Sequence, residues 1–303
     1  MAPRLLLHIG TEKTGTTAWQ AWLAQQRDPL DQLGYALPTS LGPTNHRKLP
    51  TSCFDLDRVD DLVIRSGLEP AMPAERQRIY GAWQEAFAAE VRQRPQHTWL
   101  VSSEHCSPRL TRPAELARLQ ECLGALFAEI TVLLVIREPL QTAISAWSTL
   151  VLNGGYPLED LPPPDHPLLA DRCDHRALVQ RWQPLFPKMQ LCTYQPDVVQ
   201  LLSQALGLPA LPEASDPKRK SNPSLPHQAI VAIARLNREL PVYRGACLNQ
   251  EREQRIAAIV QAHAGAPGFV PSAEQREQFK AYFAASNNWI QRRFFPERSC
   301  LFS

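Results

Sequence analysis

Apolar positions change rhythm several times along the chain, and each change marks an element. Arg4 to Ile9 (RLLLHI) is a short apolar run without polar alternation, the pattern of a strand buried on both faces. A glycine-containing turn follows. From Thr17 to Gln26, Trp19, Trp22 and Leu23 recur at helical spacing, so a helix is expected there, closed by Asp28-Pro29. From Asp28 to about Glu75 the pattern is irregular and broken by Pro38, Gly42, Pro43 and Pro50. Ile79, Trp83, Phe87 and Val91 restore the helical period, and Thr98 to Ser103 reads as a second strand ending in Glu104. Pro113 opens a helix carrying Leu116, Leu119, Leu123 and Leu126. Ile130 to Ile136 (ITVLLVI) is the clearest buried strand; Arg137-Glu138-Pro139 and a helix through Ile144, Trp147 and Leu150 come next, up to Asn153-Gly154-Gly155.

The second half continues the alternation. Pro157 to Pro167 is a proline-rich loop, Arg176 to Phe186 a helix, Met189 to Tyr194 a fourth strand and Asp197 to Leu206 another helix. After a Pro/Lys/Arg loop near 212–223, helices are expected at about 226–240, 250–263 and 272–293. Strands alternating with helices predict an α/β fold with a central parallel sheet covered on both faces, followed by a helical C-terminal third. The expected organisation is one domain over residues 1–303, with a core over about 1–210 and a helical part over about 223–303. Ligands bind such sheets at the carboxyl ends of the strands. Lys13 comes after the first strand, Glu104 after the second and Arg137 after the third.

Composition narrows the function classes. With 303 residues, 44% of them hydrophobic, a sizeable core is available. A net charge of +2 argues against bulk nucleic-acid binding and against a polybasic membrane anchor. No apolar run approaches the length of a membrane span, and the N-terminal apolar segment is too short for a signal-peptide core. Seven scattered cysteines without Cys-x-x-Cys suggest reduced thiols and a cytoplasmic protein, not a disulfide framework or a zinc site.

The strongest chemical signal is Gly10-Thr11-Glu12-Lys13-Thr14-Gly15-Thr16-Thr17, between the first strand and the first helix. A helix N-terminus presents unpaired N–H groups and the positive end of its dipole, so this position suits an anion. The two glycines allow a tight turn; Lys13 adds charge, and Thr14, Thr16 and Thr17 add hydroxyls. The spacing approaches G-x-x-x-x-G-K-[ST], but Thr16 stands where that motif needs lysine, and the lysine comes three residues earlier. A kinase-like phosphotransferase is thereby weakened as an alternative. A nucleotide-binding scaffold without catalysis stays open.

HIGTEKTGTT followed by an amphipathic helix resembles the 5′-phosphosulfate loop of sulfotransferases that use 3′-phosphoadenosine-5′-phosphosulfate (PAPS), especially bacterial, carbohydrate-type members. A second motif of that family is an arginine ending a strand with a serine eight residues later; Arg137 and Ser145 in VIREPLQTAISAW match it. Tyr194 resembles the family's adenine-contacting tyrosine, and Arg219 and Lys220 its late basic loop, although Arg-Lys-Gly is absent. The resemblance implies a P-loop-like three-layer fold and PAPS as co-substrate. It also implies metal-free release of 3′-phosphoadenosine-5′-phosphate (PAP), with donor contacts from Thr11, Glu12, Lys13, Thr14, Gly15, Thr16, Thr17, Arg137, Ser145, Tyr194, Arg219 and Lys220. The acceptor is expected to be a small molecule or a glycan hydroxyl, lying against the 28–75 and 157–167 segments; oligomeric state is not readable. Two residues are candidates for the base that takes the acceptor proton. Glu104 is favoured because strand ends are fixed. His46 in Thr44-Asn45-His46-Arg47 has a side chain suited to base work near neutral pH. His105 ranks third, and His8, inside the first strand, is expected to be a core histidine.

Overall fold

The computed structural model describes residues 3–68, 71–209, 225–245 and 247–302. In chain order the elements are β1 (Arg4–His8), α1 (Thr16–Gln25), α2 (Arg27–Gln32), β2 (Tyr35–Ala36), α3 (Lys48–Thr51), α4 (Asp61–Arg65), α5 (Pro73–Gln93), β3 (Thr98–Ser102), α6 (Cys106–Arg109), α7 (Pro113–Gly124) and β4 (Glu129–Ile136). There follow α8 (Pro139–Gly154), α9 (Pro167–Cys173), α10 (His175–Trp182), β5 (Met189–Thr193), α11 (Val198–Ala205), α12 (His227–Leu236), β6 (Tyr243–Arg244), β7 (Cys247–Leu248), α13 (Gln250–Ala262) and α14 (Ala273–Phe294). The chain divides into two compact units: residues 1–137, 175–221 and 289–303 form the first, and 138–174 with 222–288 the second.

The first unit holds a five-stranded parallel sheet in the order β2-β3-β1-β4-β5. Alternate strand residues feed two separate cores. Leu5, Leu7, Trp99, Val101, Val132, Leu134 and Ile136 pack with Phe87 and Val91 of α5, Leu116 and Leu119 of α7 and Trp182 of α10. Leu6, Leu100, Leu133 and Val135 face the other way, toward Trp19 and Leu23 of α1, Leu30 of α2 and Leu202 of α11. Two apolar faces explain why β1 and β4 show no polar alternation. The α/β class expected from the sequence, a parallel sheet with helices on both faces, is the one observed. β1 is central, and the connection from β3 to β4 passes over it, so the loop after β1 sits where the strand order reverses, the usual ligand position in open sheets.

Three features differ from the pattern-based expectation. Asp28-Pro29 does not end the helical stretch: α2 carries both in its first turn, where proline loses no needed hydrogen bond. The irregular segment contains β2, a two-residue strand paired with β3 at Tyr35 and Ala36, too short to show a period. The second unit adds the small antiparallel β6–β7 hairpin to its helices. Its core is built from Leu140, Trp147, Val151, Leu169, Ile230, Ile233, Phe279 and Phe283. No described helix is long and apolar enough to cross a membrane, and all seven cysteines are free thiols.

Candidate functional site

The loop after β1 is tied down at its root and open at its tip. Ile9 and Thr11 extend the β1–β4 pairing through bonds from their N–H groups to Leu133 O and Val135 O, at 3.0 and 3.2 Å. The Thr11 hydroxyl also donates to Val135 O (3.0 Å), and the Thr14 hydroxyl donates to Thr11 O (2.7 Å). Both threonines are buried. Their hydroxyl hydrogens thus brace the loop from inside and are not offered to a ligand, unlike the expectation for Thr14. Thr16 and Thr17 have no side-chain partner among the described residues.

Backbone geometry concentrates here. Gly10 has φ 43°, Lys13 φ 68° and Gly15 φ 77°, and Lys13 is the one described non-glycine residue at positive φ. A Cβ on Gly15 would stand 2.8 Å from Val198 Cγ1, so that position excludes a side chain on two grounds. Gly15 is the N-cap of α1 and supplies no side-chain acceptor; its carbonyl takes Ala18 and Trp19. The N–H groups of Thr16 and Thr17 therefore stay open at the positive end of the helix. Lys13 is exposed and its ammonium has no partner among the described residues. A strained non-glycine residue, open N–H groups and an uncommitted cation in eight residues fit an anion such as a phosphosulfate.

Arg137 reaches the loop from the end of β4, donating from Nη1 to Lys13 O at 3.3 Å. Its guanidinium also lies 5.0 Å from the centre of the Tyr194 ring, whose N–H extends the β4–β5 pairing to Ile136 O (2.7 Å). The His175 ring holds the Arg137 carbonyl at 2.8 Å. Lys13, Arg137 and Tyr194 are thus gathered along the carboxyl edge of β1, β4 and β5. Ser145 belongs to α8 in the second unit, where it is half-buried and its carbonyl accepts the Thr149 hydroxyl. Arg219 and Lys220 lie outside the described residues.

The other side of the loop meets the end of β3. Glu104 is mostly buried, with Oε2 accepting from Gln20 Nε2 of α1 at 2.6 Å. Gln20 Nε2 also donates to Ser102 Oγ (3.3 Å), which is bonded to His8 Nδ1 (2.9 Å). His46 arrives from the irregular segment and takes both main-chain groups of Ser102: its N–H donates to Ser102 O (3.1 Å), and its Nδ1 accepts the Ser102 N–H (2.9 Å). Accepting at Nδ1 leaves the hydrogen on Nε2, which lies near the Pro38 carbonyl but closes no hydrogen bond. Burial, helped by the Arg27 charge, lowers the His46 pKa to about 3. His46 thus offers a donor and no lone pair for a substrate proton. Burial alone lowers His8 in the same way, to about 3.

Asn45 Nδ2 contacts His105 Nε2 at 3.2 Å, and that nitrogen is 4.0 Å from Glu104 Oε1. Burial lowers the His105 pKa, while the negative charge of Glu104 works against it. Glu12 turns toward the same cluster: its charge acts on His105 and, with Asp61 and Asp60, holds Arg109 protonated against the effect of burial. Arg109 is paired with Asp60 (2.6 Å) and with Asp61. Gln20, Ser102, Asn45 and Arg109 are absent from the sequence-derived set. Gln20 was within reach of pattern reading, because with Thr16, Trp19 and Leu23 it lies on the buried stripe of α1, where a polar side chain must find a partner. Among the described residues no group of three or more His, Cys, Asp or Glu side chains is placed to hold a metal ion.

No protein-family model matches the sequence, and no curated protein matches it. Among solved structures, the sulfotransferase domain of the Synechococcus PCC 7002 olefin synthase is similar at 16% identity, covering 89% of this chain and 96% of that one, with a TM-score of 0.38. The sulfotransferase domain of the curacin biosynthetic pathway is similar at 16% identity over 88% and 99%, with a TM-score of 0.33. A protein of the Streptococcus pneumoniae PezAT toxin-antitoxin system follows at 11% identity over 78% and 85%, with a TM-score of 0.28. Similarity this distant leaves the chemistry to be argued from the site itself.

Proposed function

We propose that this protein is a sulfotransferase that moves a sulfuryl group from PAPS to an acceptor hydroxyl and releases PAP. The observation that carries the reading is the uncapped N-terminus of α1, with open N–H groups on Thr16 and Thr17 and the Lys13 ammonium beside them. An anion with several oxygens satisfies all three at once. The displaced lysine favours a phosphosulfate over the β/γ-phosphates of a triphosphate, which need a lysine at position 16. Arg137 and Tyr194 suit a 3′-phosphorylated nucleoside: a guanidinium matches phosphate geometry, and a ring face matches a base.

In the proposed reaction the acceptor oxygen attacks sulfur opposite the bridge to the 5′-phosphate. A new O–S bond forms, the bridging S–O bond breaks, and its electron pair stays on the phosphate oxygen of PAP. Lys13 and the N–H groups of Thr16 and Thr17 meet that developing charge. The acceptor proton passes to Glu104, whose Oε1 has no hydrogen-bond partner among the described residues. His46 is set aside as base because its open nitrogen carries a hydrogen.

A hydroxyl-rich acceptor such as a glycan is the proposed substrate class. The 28–75 segment brings Asn45 against His105, the neighbour of Glu104, and also borders a cleft of about 650 Å³ lined by Asp55, Asp57, Gln77, Tyr80, Gln84 and Arg118. Carboxylates, amides and a guanidinium together can donate to and accept from hydroxyls. The test is PAP formation from PAPS, with ATP and magnesium as the competing substrate. PAP formed by the wild-type protein, slowed about 10²–10⁴-fold in Glu104→Gln while PAP binding is retained, supports the reading. ATP turnover without PAPS turnover refutes it.

A further inference from the structure

We propose that Gln20 is a positioning residue that holds the Glu104 carboxylate in register with the anion loop. The proposal rests on the reading of Glu104 as base. Gln20 is 4% exposed and reaches away from solvent into the junction of β1, β3 and α1. Its amide nitrogen has two hydrogens, and the structure gives both an acceptor: Glu104 Oε2 at 2.6 Å and Ser102 Oγ at 3.3 Å. Ser102 Oγ is anchored in turn on Nδ1 of His8, the last residue of the strand that launches the loop. Two bonds from one nitrogen fix the amide plane. That fixes Oε2 and leaves Oε1 as the oxygen free to take a proton.

The choice of side chain has a chemical logic. A lysine here would neutralise Glu104 and weaken it as a base. A glutamate would repel it. A neutral amide orients the carboxylate without cancelling its charge. Position matters equally. Gln20 lies four residues beyond Thr16, about 6 Å along a stiff helix from the N–H groups that face the anion. The same helix therefore carries both the donor cradle and the clamp on the base, and a small misplacement of one displaces the other.

The test uses the full chain, PAPS as donor, molar glycerol as the hydroxyl probe, and calorimetric PAP binding as the separate readout. Gln20→Leu and Gln20→Met are expected to bind PAP within about twofold of wild type yet to form PAP about tenfold more slowly. A double variant, Gln20→Met with Glu104→Gln, is expected to be no slower than Glu104→Gln alone, because the clamp has nothing left to position. If Gln20→Leu does not fold, Gln20→Met, closer in shape, carries the test. A wild-type rate in a folded Gln20 variant overturns the proposal while leaving the donor reading intact. So does a double variant whose losses multiply. A wild-type protein that binds no PAP overturns the donor reading itself, and one that binds PAP but forms none removes the role of Glu104 and its positioning together.

Discussion

The loop after β1 and the end of β3 lie on the same edge of one sheet, yet they treat their polar groups in opposite ways. At the loop, helix N–H groups and a lysine have no partner among the described residues, on a backbone that includes a non-glycine residue at positive φ. At β3, Ser102 is bonded through N–H, carbonyl and hydroxyl, and two buried histidines are held neutral. The first region keeps exposed hydrogen-bonding capacity in reserve; the second uses that of Ser102 to fix positions, while His8 Nε2, His46 Nε2, Ser103 Oγ and His105 Nδ1 are buried without a hydrogen-bond partner among the described residues. The N-terminus of α8 serves as a control, because there the chain supplies its own anion: Glu138 accepts from Leu140 N and Gln141 N at 3.1 and 2.8 Å. At α8 a carboxylate closes the helix start, although α2, α5, α7, α12 and α13 begin, like α1, without a side-chain cap.

The largest effect that would break this contrast concerns acid stability. His8 and His46 stay neutral in the fold down to about pH 3, whereas unfolded histidines take up protons near 6.5. Between those limits the unfolded state binds more protons, so stability is complete above pH 6.5 and falls as pH drops. Each histidine contributes a slope of about 1.4 kcal/mol per pH unit. Urea unfolding from pH 7 to 5 checks it, and His46→Gln should reduce the slope by one histidine's share.

Next in size, Lys13→Gly separates strain from function. Relieving the positive φ should raise stability by up to about 1 kcal/mol, while losing the ammonium should weaken PAP binding by about 1.5–3 kcal/mol. A variant that is both less stable and an equal binder would undo the picture of a loop strained for its ligand. Arg137→Ala should cost PAP binding a similar amount but leave 5′-AMP nearly unaffected, which competition calorimetry reads directly. The smallest effect belongs to the closed helix: Glu138→Ala should cost about 0.5–2 kcal/mol in thermal or urea stability, with PAP binding unchanged.

The geometry of the anion loop was legible because it is local. A strand, two glycines, a lysine and a helix start occupy Arg4 to Gln25, and no distant contact is needed to read them. Arg137 was legible for the same reason, at the end of an unbroken apolar strand. The β3 end was legible only in part. Glu104 follows its strand directly, but its partner Gln20 is 84 residues away, and the bond joining His46 to Ser102 spans 56. Burial that turns His46 from a base into a donor is a tertiary property that its neighbours in the chain do not encode. The hydroxyl of Thr14 was misjudged for a related reason, since its acceptor is a loop carbonyl whose direction depends on the backbone turn.

The central claim is that the open loop and Arg137 together select a 3′-phosphorylated nucleotide. Calorimetric titration of the wild-type protein with PAP and with 5′-AMP, under identical conditions, tests it most directly. PAP should bind at least about tenfold more tightly than 5′-AMP, the value of one charged hydrogen bond. Equal affinities, or no binding of PAP at all, would contradict the account.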